Sequence, residues 1–200
     1  HAAATPAMQI ISAVLQDDGT LAFVCERGAG AARPTERAQP DDIAMILHTS
    51  GTTSRPKRVP LRHRNLAASA ANIIATYQLN PADTALCVMP LFHIHGIVAS
   101  MLSTLASGGT VICPEGFSAL EFWRWVESYR PSWYSAVPTM HQMLLARAER
   151  NQEIIRAHPF RFIRSSSAPL PPTGTGRSTA KLAGSSCSMA QARAPSGSRS

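Results

Sequence analysis

The sequence predicts an α/β fold, a parallel sheet flanked by helices. Short apolar runs alternate with segments of helical period from residue 43 to residue 165, and Gly, Pro and Asn mark the joins between them. The first of these runs empties into a loop of small hydroxyl residues. At 200 residues, 44% apolar and 16% charged, the chain is long enough to enclose one core.

Two apolar stretches within 8–26 flank Asp17-Asp18-Gly19, a hairpin-turn signal. Residues 27–42 have no period, contain Pro34 and Pro40, and read as a linker. A strand over 43–48 follows, then a loop. A helix begins near Asn65, with Leu66, Ala70, Ile73, Ile74 and Tyr77 at helical spacing up to Asn80-Pro81. Beyond it the pattern predicts strands at 84–89, 110–113, 133–137 and 161–165, separated by helices near 96–106, 118–129 and 139–150. Such alternation implies a parallel sheet covered on both faces. Phe122, Trp125, Met140 and Leu144 are expected in its core.

From Thr173 the composition changes to Gly, Ser, Ala, Thr and Arg, with only Leu182 and Met189 as larger apolar residues, and disorder is expected. The abrupt break after Pro171-Pro172 resembles reading-frame slippage in GC-rich coding sequence. The expected organisation is thus a partial domain over 1–172, made of a peripheral hairpin and linker (1–42) and core βα units (43–172), then a disordered, frameshifted tail over 173–200. The first residue is His1 and no signal-peptide pattern follows, so the true N-terminus is expected to lie upstream.

The formal charge of +7 is unevenly placed: Arg177, Lys181, Arg193 and Arg199 put four of the seven in a tail without acids. The near-balanced body argues against nucleic-acid binding. No run approaches the about 20 apolar residues of a membrane span. Cys25, Cys87, Cys113 and Cys187 lie far apart and suggest neither a disulfide framework nor a zinc site, which favours a reducing, intracellular setting.

The chemistry concentrates in His48-Thr49-Ser50-Gly51-Thr52-Thr53-Ser54-Arg55-Pro56-Lys57, between the first predicted strand and helix. Backbone N–H groups and small hydroxyls there can approach phosphate oxygens, and Lys57 adds positive charge. The spacing differs from G-x-x-x-x-G-K-[ST], and a Ser/Thr-rich surface turn is the plain alternative. His93 and His95 form a His-x-His pair with no third ligand at metal spacing, so no metal site is expected in this chain.

Thr49 to Lys57 resemble the phosphate loop of the adenylate-forming enzymes, T-S-G-[ST]-T-G-x-P-K-G, departing at Ser54 and, just beyond, at Arg58, where the family usually has glycine. Pro90-Leu91-Phe92-His93 is similar to the family's P-x-x-H segment, and Ser165-Ser166-Ser167-Ala168-Pro169-Leu170 to its S-G-A-A-P-L stretch. LHTSGTTSRPK, VMPLFHIHGI, GFSALEFW and WYSAVPTMHQM look most like the oxalate–CoA ligases within that family.

This resemblance implies an ATP-dependent, AMP-forming acid–CoA ligase that converts a small carboxylic acid, oxalate as the best match, to an acyl-AMP and then a thioester. ATP, Mg²⁺ and coenzyme A are the implied cofactor and co-substrates. It implies phosphate contacts from Thr49, Ser50, Gly51, Thr52, Thr53 and Lys57, and adenine contacts from Ser166, Ser167 and Ala168. His93 would be the catalytic histidine, bordering the acyl group in a pocket with His95, Val137 and His141. The family's Y-G-x-T-E segment, ribose-binding aspartate and mobile domain are not found in this sequence, so the chain alone is expected to be inactive. An amino-acid adenylation domain and an inactive nucleotide-binding fragment remain alternatives. The expected compartment is the cytoplasm, or the peroxisome in a eukaryote.

Overall fold

The computed structural model describes residues 10–18, 20–27, 37–49, 57–166, 182 and 188–191. Two compact units result, His1–Ala38 and Gln39–Ser200. In the first, β1 (Ile10–Leu15) and β2 (Leu21–Arg27) form the expected antiparallel hairpin. Its turn is closed by Asp18, whose Oδ1 accepts from the backbone N–H of Thr20 at 2.9 Å and from its hydroxyl at 2.6 Å. Those bonds favour the carboxylate and lower its pKa.

The second unit starts with β3 (Ile43–Thr49), and here the structure corrects the sequence reading. β3 does not join the parallel sheet; it pairs antiparallel with β4 (Lys57–Arg62), a strand where the sequence predicts a loop. Val59 and Leu61 share one face of β4 with Arg58 and Arg62 on the other, and Pro60 is tolerated because a two-stranded ribbon has open edges. The helix α1 (His63–Tyr77) follows without a break. The Arg62 N–H donates to Asn65 Oδ1 at its start, and Gln78 adopts the left-handed conformation (φ 50°) at its end.

Five parallel strands make the main sheet, in the order β6-β5-β7-β8-β9. They are β5 (Thr84–Leu86), β6 (Thr110–Ile112), β7 (Trp133–Ala136), β8 (Phe162–Ser165) and β9 (Ser188–Gln191). Between β5 and β6 a π-helix (His95–Leu102) runs into the short α2 (Ser103–Ala106). The remaining helices are α3 (Phe122–Tyr129), α4 (Pro138–Ala148) and α5 (Gln152–Ala157), the last not expected from the sequence.

Both faces of the sheet are covered, as expected. On one, Ile73, Ile74 and Tyr77 of α1 pack against Leu79, Ala85, Trp133 and Phe162, with Phe162 stacked between Tyr77 (5.2 Å) and Trp133 (5.0 Å). On the other, Leu86, Phe122, Val126, Tyr134, Leu144, Phe160 and Ile163 form the larger core. Of the residues expected there, Phe122 and Leu144 are fully buried, while Trp125 and Met140 pack at its margin. Where β5 begins, Arg161 clasps the buried Asp83 through two bonds, Nε to Oδ1 at 2.9 Å and Nη2 to Oδ2 at 2.7 Å, and Ser132 donates to Oδ1 at 2.8 Å. That cluster ties the starts of β5, β7 and β8 together.

The expected disorder after residue 172 also needs correction at two places. β9 extends the sheet beside β8, and Leu182 is completely buried in the larger core. Backbone pairing needs no apolar side chains, and an unpaired parallel edge is a strong template. A single leucine can likewise fill a gap that composition does not reveal.

Candidate functional site

The C-terminal ends of β7 and β8 meet the start of the π-helix, the end of a parallel sheet at which ligands characteristically bind. A cleft of about 310 Å³ opens there, lined by Ile73 of α1, His93, His95 and Val98 of the π-helix region, and Arg164 and Ser166 at the end of β8.

The π-helix itself is set by its first residues. An added Cβ on Gly96 would lie 2.3 Å from the Pro90 carbonyl oxygen, so only glycine allows the chain to turn back this closely. The Ser103 N–H then reaches the Val98 carbonyl five residues earlier, the wider turn of a π-helix, where the sequence had suggested an ordinary helix over 96–106. Such turns cluster at functional sites because they re-aim side chains. Here His95 is aimed inward and is only 5% exposed, while His93 stays at the surface and accepts the His95 N–H on Nδ1 at 3.2 Å.

A polar chain crosses the site. Arg164 donates from Nε to Tyr77 Oη at 3.2 Å and from Nη1 to Ser135 Oγ at 3.0 Å; Ser135 Oγ lies 2.6 Å from His95 Nε2. A guanidinium only donates, so Ser135 accepts from Arg164 and its own proton is available to Nε2 of a neutral His95. The imidazole proton then belongs on Nδ1, and Ser166 Oγ lies 3.1 Å from both ring nitrogens. Burial first, and then the positive charges of Arg164, His93 and His141, push the His95 pKa down to about 4. Neutral His95 is thus a hydrogen-bond relay, not a cation.

Of the expected acyl-pocket residues, His93 and His95 lie in this cleft together with Ser166. Val137 and His141 do not line it: Val137 precedes α4, and His141 is fully buried on that helix, with Nδ1 3.1 Å from Tyr134 Oη. Burial lowers the His141 pKa, against the opposing pull of the Ala136 and Arg164 carbonyls. Ser167 and Ala168, expected under adenine, lie outside the described residues.

Ser50, Gly51, Thr52 and Thr53 of the expected phosphate loop also lie outside them, but the register of its ends is defined. Thr49 at the end of β3 stands directly opposite Lys57 at the start of β4, so both arms of the loop leave from one rung of a hairpin. Arg58 pairs with His48, is exposed, and is not among the non-glycine residues with positive φ, which among the described residues are Gln78 and Arg130. Its departure from glycine therefore needs no unusual backbone.

Sequence reasoning overlooked Arg164, Ser135 and Tyr77. The one available signal was a charged residue at the third position of an otherwise buried strand, Phe162-Ile163-Arg164-Ser165. Among the described residues no group of three His, Cys, Asp or Glu could hold a metal ion, and no helix is long and apolar enough to cross a membrane.

The pattern of the AMP-binding enzyme family matches residues 2–191. The chain is 51% identical over 136 residues to an oxalate–CoA ligase of Arabidopsis thaliana, covering 66% of this chain and 26% of that protein. It is 46% identical over 138 residues to an oxalate–CoA ligase of Saccharomyces cerevisiae, covering 68% and 24%. Among solved structures, a malonyl-CoA ligase holding methylmalonyl-CoA and AMP superposes with a TM-score of 0.66 at 30% identity, over 78% of this chain and 34% of that one. The chain thus spans about a quarter of the length of the ligases it matches in sequence.

Proposed function

Because the chain belongs to the AMP-binding enzyme family, we propose that it forms part of an AMP-forming acid–CoA ligase and that its acid is oxalate. The observation that carries this reading is the cleft at the β7 and β8 ends, where neutral His95, surface His93, Ser166 and a cationic Arg164 converge on a space of about 310 Å³. A small polar acid suits those donors better than a long acyl chain. The oxalate–CoA ligases that match at 51% and 46% identity support the same choice.

In this reading a carboxylate oxygen of the acid attacks the α-phosphorus of ATP and pyrophosphate departs. The coenzyme A thiol then attacks the acyl carbon, its proton is lost, and AMP leaves. The first step supplies the leaving group that a carboxylate lacks, and the protein contributes positioning and charge neutralisation. Lys57 and the loop from Thr49 to Thr53 would neutralise the β- and γ-phosphates, and Ser166, Ser167 and Ala168 would lie against adenine. His93, exposed at the mouth of the cleft, would border the reacting acyl group. Mg²⁺ would enter on the nucleotide phosphates, since no cluster among the described residues is suited to hold it alone.

The test is acid-dependent ATP–pyrophosphate exchange by the full-length gene product, with oxalate beside medium-chain fatty acids, 4-coumarate and amino acids. Exchange with oxalate is expected. Exchange driven by amino acids instead would replace this reading with an amino-acid adenylation domain, and a folded protein silent with every acid would overturn it.

A further inference from the structure

Two arginines at opposite ends of β8 have different partners. Arg161 is matched with Asp83, both carboxylate oxygens engaged. Arg164, half-buried three residues later, meets no carboxylate within ion-pair distance among the described residues. Its partners are the neutral hydroxyls of Tyr77 and Ser135, with the Tyr77 ring 5.9 Å from the guanidinium carbon. Two of its five N–H donors are used in this way, and the group lines the cleft. Withdrawing a guanidinium from water is costly unless an anion completes its surroundings.

Among the described residues nothing else in the cleft compensates that charge. His95 and His93 are imidazoles, Ser166 is a hydroxyl, and Ser69, Ile73, Ile94, Val98 and Ala99 supply the rest. Tyr77 and Ser135 hold the planar fork in place, and a fork so held recognises a carboxylate through two parallel bonds. A monocarboxylic acid entering as the reacting group must present its only carboxylate to ATP, which leaves Arg164 unmatched. A short acid with a second anionic group satisfies both needs.

Resting on the ligase reading above, we propose that Arg164 is the specificity-determining residue of this cleft, binding the non-reacting anionic group of a short dianionic acid. Tyr77 and Ser135 act as positioning residues for the guanidinium. The reacting carboxylate, bonded directly to that group in oxalate, faces the nucleotide beside His93, so the arginine discriminates between acids and performs no chemistry.

The test needs no turnover. Oxalate and oxamate have nearly the same shape, but oxamate carries one negative charge. Each is titrated by calorimetry at low ionic strength into the 200-residue chain and into Arg164→Gln and Arg164→Lys. The chain is expected to prefer oxalate by about 10- to 100-fold, the scale of a charge-assisted bidentate contact. The preference should collapse toward unity in Arg164→Gln and survive in part in Arg164→Lys. Preference for oxalate in Arg164→Gln equal to that of the parent would overturn the proposal, as would equal weakening of both ligands in the two variants, the mark of a structural role. Failure of the parent chain to bind oxalate also overturns it, whereas the ligase reading stands or falls separately on pyrophosphate exchange by the full-length protein.

Discussion

For His95 to take up a proton, a second positive charge would have to enter a site that already holds Arg164, behind a surface only 5% exposed. The folded-state pKa, about 4, lies below the ordinary value of 6.5. The unfolded chain therefore binds the proton first, and the sign is fixed: the folded state is favoured above pH 6.5 and loses that advantage as pH falls toward 4. The expected loss is about 3 kcal/mol across that window. Urea midpoints measured from pH 8 to pH 4 should show a downward limb that is shallower in His95→Asn, where the buried His141 still contributes, and identical pH profiles for the two proteins would refute the depressed pKa. His95 was legible in sequence as half of a His-x-His pair, but its neutrality was not, because Arg164 and Ser135 reach it from strands 40 and more residues away.

At the level of elements, β5, β6, β7, β8 and the helices between them other than α5 followed from apolar period, and their ends fell within a few residues of the expected ones, whereas β9 and α5 did not. β4 did not, since Lys57-Arg58-Val59-Pro60-Leu61-Arg62 has the polarity of a loop and becomes a strand only through the backbone of β3. The sequence predicts an ordinary helix where the π-helix stands, because apolar period does not distinguish the two turns, and the close approach of Gly96 to Pro90 carries no periodic signal. What orders the strand starts is the Asp83 cluster. Removing its charge in Asp83→Asn leaves Arg161 without a carboxylate and the buried amide poorly matched to two donors. A destabilisation of about 2 kcal/mol is expected, kept below that of a wholly buried pair because the Arg161 side chain is 39% exposed. Chemical denaturation checks it, and a change under about 0.5 kcal/mol would show the cluster to be incidental.

Across the whole molecule, the least legible part was the segment after residue 172, whose composition resembles that of a disordered tail. Its contribution can be measured at one residue. Leu182→Ala removes a fully buried side chain from the core it shares with Phe122, Tyr134 and Ile163, and should cost about 3 kcal/mol in urea unfolding. A neutral result would return the segment to the disordered reading. Deleting 173–200 altogether should also bare the β8 edge and promote association through it. Cys87, at the end of β5, gives the fold one further property. Burial, with Cys113 alongside, pushes its thiol pKa up to about 11, whereas Cys113 is exposed. A thiol so shielded reacts only when the strand end and the π-helix part. Its alkylation is therefore a clock: the slow phase that follows the rapid labelling of exposed thiols counts how often this end of the sheet opens, and a ligand that bridges the cleft would slow it.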